Sequence, residues 1–135
     1  CYNVASLGDF MKKIKIHSIL SNSDNETTIV DEEVMFDEVD NVITYMEDDL
    51  KVSISIFETF VKMRRCNEDY DLNLEFDLNE DKVCKYSVKS IGLDLDLLVR
   101  TKELEIYDNR VYIKYELFND QKSIGEFEYK LIIRE

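Results

Sequence analysis

Apolar and polar residues alternate along most of the chain, most regularly in its last third, residues 82–135. A period of two sends successive side chains to opposite faces of an extended strand, so each such run reads as a strand with one buried face. The clearest run is 50–58. Leu50, Val52, Ile54 and Ile56 fall on one face, and Lys51, Ser53 and Ser55 fall on the other. Similar runs cover residues 13–20, 27–38, 42–47, 60–66, 72–78, 82–89, 93–107, 111–117 and 127–133. In the second of these, Val30, Glu32, Val34 and Phe36 share a face, which predicts a half-buried strand.

The breaks between runs carry turn chemistry. The clusters SNSDNE, CNEDYD and FNDQKS, the Asp40-Asn41 pair, the acidic stretch Glu47-Asp48-Asp49 and the pair Asp108-Asn109 each separate two runs. Asn and Asp bond locally to backbone and tolerate left-handed conformations, so these breaks read as tight connections and hairpins. The segment 46–65 is apolar enough to consider as a helix, but its strict alternation and β-branched residues favour strands.

One long run changes phase. Leu93, Leu95, Leu97 and Val99 occupy one parity, whereas Leu104 and Ile106 occupy the other. A one-residue slip turns a whole face over, so a β-bulge near Lys102 is needed to keep both halves packed. About ten short strands at regular spacing then predict an all-β, mostly antiparallel barrel or sandwich.

Composition agrees with one folded domain. The chain has 135 residues, 44% of them hydrophobic and 11% aromatic. That is enough to close a core without metals or disulfides. Met11 has the look of a translation start. Residues 1–10 therefore read as an extension or added tail, and 11–135 as the domain. The net charge of −13 repels a phosphate backbone and an anionic membrane surface, so neither nucleic acid nor membrane is expected as a partner. No apolar stretch approaches the roughly 20 residues needed to span a bilayer as a helix.

Little in the chain suggests chemistry. The single histidine, His17, has no His or Cys at metal-ligand spacing, and the acidic runs are too sparse for a calcium loop, so no metal is expected. No phosphate-binding glycine loop, zinc-protease helix motif or nucleophile elbow is present, and no cofactor is expected. Cys66 and Cys84 read as small buried hydrophobes. Gly92, between Ile91 and Leu93, reads as a turn position with positive φ.

The pieces YMED (45–48), VKMRR (61–65), KYSVKSIGLDLDLLVRT (85–101) and VYIKYEL (111–117), followed by FEYKLIIRE, run collinearly over most of the chain from Met11 onward. In this order they resemble the YwiB-like family of bacterial proteins. That resemblance implies a single calycin- or lipocalin-like β-barrel in an intracellular, cytoplasmic protein. It implies no established activity, cofactor or catalytic residue. Glu47, Arg64, Tyr86, Gly92, Thr101 and Tyr115 fall on recurring positions of the family. The glycine that often follows the family's arginine is replaced here by Arg65 and Cys66.

Five residues follow as candidates for binding a ligand: Glu47, Arg64, Tyr86, Thr101 and Tyr115. Glu47 and Arg64 could pair at a barrel mouth or hold a polar group, although alternation puts Arg64 beside Lys62 on the exposed side. Tyr86 and Tyr115 offer rings to the core and hydroxyls to a partner. Thr101 extends the inward parity of Leu93 to Val99, which makes it a buried, satisfied hydroxyl or a polar group in an apolar cavity. Two functions are then in view. One is a barrel enclosing a small-molecule ligand. The other is an interaction or assembly module, in its simplest form a homodimer, that uses an outer face or an unclosed edge. An enzyme is the least supported reading.

Overall fold

The computed structural model describes residues 11–135, so the reading of residues 1–10 as a tail lies outside the described residues. Ten strands follow one another: β1 (Met11–Asn22), β2 (Thr27–Asp37), β3 (Val42–Glu47), β4 (Leu50–Ile56), β5 (Val61–Cys66), β6 (Tyr70–Phe76), β7 (Lys82–Val88), β8 (Leu93–Tyr107), β9 (Arg110–Asn119) and β10 (Lys122–Arg134). A 3-10 turn, Lys89–Ile91, joins β7 to β8. Each strand pairs antiparallel with the next, and β1 pairs with β10 to close the barrel. The expected all-β antiparallel barrel of ten strands is the fold. No helix among the described residues is long and apolar enough to cross a membrane.

Alternation decides which side chains enter the barrel. Val52, Ile54, Val61, Phe76, Val99, Ile113, Tyr129 and Leu131 are completely buried, and each lies on the inward parity of its strand. Cys66 and Cys84 are buried too, as their type suggested. The phase change in β8 is a bulge. Its register against β9 shifts between Thr101 and Glu103. Thr101 thereby stays inward with Val99, while Leu104 and Ile106 resume the inward face beyond Lys102. The Lys102 ammonium then spans the outer face, pairing with Glu116 of β9 at 3.1 Å and with Glu126 of β10.

The turns rely on Asn and Asp. Asn22 Oδ1 accepts from the backbone N–H of Asp24 and Glu26, Asp37 Oδ1 from Val39 and Asp40, and Asn67 Oδ1 from Asp69 and Tyr70. Asn25, Asn41, Asp48 and Asp120 adopt positive φ. Gly92, at φ 61°, closes the 3-10 turn by donating its N–H to Lys89 O, the role expected of it.

The barrel wall is not evenly sealed. β2 pairs with β1 along its full length, but its pairing with β3 covers only Met35↔Thr44, Phe36↔Ile43 and Asp37↔Val42. Past that point the two strands part. Of the inward set expected in β2, only Val34 is buried, and Glu32 is exposed despite its inward parity. A strand whose neighbour has left on one side cannot bury its inner face there.

Candidate functional site

Two strand ends bring charge into the barrel. In β3, the parity of Ile43 and Tyr45 carries Glu47 inward. In β5, the parity of Val61 and Met63 carries Arg65 inward. The two side chains meet as an ion pair. Arg65 Nη1 donates to Glu47 Oε2 at 3.4 Å, and Nη2 makes a shorter bond to Oε1. The side chains of Arg65 and Glu47 are only 8% and 9% exposed. Burial works against the Arg65 charge, but the hydrogen bond and the attraction of Glu47 prevail and raise its pKa. Every fully buried side-chain nitrogen or oxygen among the described residues has a hydrogen-bond partner.

Tyrosines surround the pair. The hydroxyls of Tyr45 (β3) and Tyr129 (β10) lie 2.7 Å apart, and the buried Ser18 of β1 is close to Tyr45. Tyr115 of β9 is 3% exposed. Its ring packs between Phe76, at 4.6 Å, and Phe127, stacked at 5.1 Å. Tyr70 of β6 meets Tyr86 of β7 edge-on at 5.3 Å. Burial raises the pKa of Tyr45, Tyr115 and Tyr129, and that of Tyr70 to about 12. The field of Arg65 opposes the rise at all four, so these hydroxyls share one electrostatic neighbourhood. At neutral pH they are uncharged donors and acceptors around a charge-balanced pair.

Four of the five sequence candidates face the barrel interior. Glu47 and Tyr115 belong to the cluster, and Tyr86 joins it through Tyr70. Thr101 stands directly opposite Tyr115, but its hydroxyl accepts the Asp77 N–H at 3.2 Å, the satisfied arrangement. That bond ties β8 to the end of β6, beyond the short β6–β7 pairing. Arg64 lies outside. Its guanidinium grips Asp71 with two bonds, of 3.0 and 2.7 Å, and is 43% exposed. Glu47 therefore pairs with Arg65, not with Arg64. The basic run Lys62, Arg64 and Arg65 is split by the barrel wall.

Arg65, Tyr45, Tyr70 and Tyr129 complete the cluster without having been singled out from the sequence. A signal for Arg65 exists, since the alternation that exposes Arg64 puts Arg65 with Val61 and Met63. At the other end of the barrel lies a depression of about 420 Å³. Ile14, Ile43, Ile56 and Ile106 form its apolar floor, and Asn41 and Glu58 stand beside them.

The profile of a family described as a domain of unknown function, DUF1934, matches residues 13–131. The chain belongs to the DUF1934 family. A solved structure shares the fold: the crystal structure of the ywiB protein from Bacillus subtilis superposes with a TM-score of 0.54. It is 16% identical, and the match covers 92% of this chain and 95% of that one. The resemblance drawn from the collinear strand motifs is thus upheld. No curated protein matches the chain. In this DUF1934 chain the match takes in both members of the ion pair and all the tyrosines around it.

Proposed function

We propose that this protein is a small-ligand-binding barrel of calycin type, working in the cytoplasm, in which the Arg65–Glu47 pair and its tyrosines orient the bound molecule. One observation carries the reading: a desolvated ion pair, with tyrosine hydroxyls around it, sits inside a largely apolar barrel. Such a pair contributes little net stability, because the loss of hydration offsets much of the attraction. Buried ionisable groups crowded together are found at functional sites more often than elsewhere. Ligand pockets typically join an apolar lining to a few fixed polar groups, and this interior has both.

A thermal-shift screen of small polar and aromatic metabolites tests the proposal, run on the wild type and on the double variant Glu47→Leu/Arg65→Met. Apolar residues of similar volume should keep the fold. Compounds that stabilise the wild type should lose their effect on the variant. Equal shifts on both proteins, or no stabilising compound for the wild type, would count against the reading.

A further inference from the structure

We propose that the free edge of β2, residues 27–34, takes up an extended basic segment of a protein partner as an added strand. Among the described residues, these eight pair only with β1. Among the described residues, no strand lies on its other side, because β3 follows it no further than Thr44. A strand edge offers a row of main-chain donors and acceptors, and pairing with a partner's extended segment is a recurrent mode of recognition. The stretch is about 27 Å long at a strand's rise per residue, enough for a short peptide to register along it.

The side chains specify which segment fits. Asp31, Glu32 and Glu33 lie consecutively in the middle of the edge and are all exposed. Among the described residues, only long contacts partly offset them, from His17 of β1 to Asp31 at 3.6 Å and from Lys13 of β1 to Glu33 at 3.8 Å. Two copies paired through this edge would bring carboxylates together, and like charges across a strand pair are destabilising. A basic strand meets the same carboxylates favourably, and the net charge of −13 draws it in. Ile29, 59% exposed, adds apolar contact on the outer face. The acidic triplet thus acts as a filter that rejects a second copy and accepts a basic segment.

The probe is an end-capped octapeptide of alternating Lys and Val, compared with its Glu-Val counterpart, against the full chain. Binding is followed by fluorescence anisotropy and by hydrogen exchange of the backbone amides. The Lys-Val peptide should bind and slow exchange at the amides of residues 27–34 that point away from β1, and the Glu-Val peptide should not. Asp31→Lys/Glu33→Lys, checked for native circular dichroism, should invert the preference by about tenfold each way. The proposal fails if those amides already exchange slowly in the free protein, or if both peptides bind alike. It fails equally if sedimentation shows the chain pairing with itself through this strand.

Discussion

Arg65 and Glu47 face each other across the barrel interior from strands that are not neighbours, with β4 between them. Removing one partner leaves the other charge buried alone, which costs about 3–5 kcal/mol. Arg65→Ala should therefore lower the midpoint of urea unfolding sharply. Arg64→Ala, one residue away, removes an exposed pair with Asp71 and should cost no more than about 1 kcal/mol. Comparing the two midpoints checks the assignment. Equal losses would show that Arg65 does not hold a buried pair.

The contact between Tyr45 and Tyr129 joins side chains 84 residues apart in sequence. Tyr129→Phe leaves the Tyr45 hydroxyl without that partner, at a cost of about 1–3 kcal/mol. Tyr45→Phe in the same background removes the second hydroxyl and should recover part of the loss, because two apolar rings can replace a matched polar pair at little cost. A double-mutant cycle measured in urea checks this. Strict additivity would mean that the two hydroxyls are not coupled.

Much of this barrel was legible one strand at a time. The phase break at Lys102 required a bulge, and Asn and Asp at the ends of runs marked the turns. Both are local signals, and both are where the sequence puts them. Two features depended on which strands meet. The free edge of β2 arises because β3 leaves it after three residue pairs, and no pattern within either strand records that. The tyrosine cluster gathers side chains from β3, β6, β7, β9 and β10, which converge only once the barrel closes. Arg65 falls between these cases. Its inward direction followed from alternation, but its partner followed only from the fold.

Gly125 and Phe127 sit at the second bulge, where the register of β10 against β9 shifts between Ser123 and Gly125. Gly125 has φ 154°, and a Cβ added there would come within 3.2 Å of the Phe127 ring. That ring stacks on Tyr115, so displacing it disturbs the cluster. Gly125→Ala should therefore destabilise the protein by more than the roughly 1 kcal/mol that an ordinary Gly-to-Ala change can add in the stabilising direction. Gly92→Ala, also at positive φ but with open space around it, should carry only the backbone cost. Unfolding midpoints for both, with near-ultraviolet circular dichroism to report the tyrosines, separate the two effects.

The buried tyrosines also set an alkaline limit to stability. Burial raises Tyr70 from 10.0 to about 12 and the Cys84 thiol from 9.0 to about 11. Each group binds its proton more tightly folded than unfolded. The stability this supplies is complete below the unfolded value and is lost as pH rises through the folded one. The window thus opens near pH 9 for Cys84 and near pH 10 for Tyr70, and Tyr45, Tyr115 and Tyr129 extend the tyrosine part of it in the same direction. A tyrosine hydroxyl in water ionises at about pH 10. Absorbance at the tyrosinate band should therefore rise in two stages, the second coinciding with loss of the strand signal in far-ultraviolet circular dichroism. Tyr70→Phe should shift that second stage to higher pH. If all tyrosines ionised together near pH 10 while the strands persisted, the hydroxyls would not be buried as described.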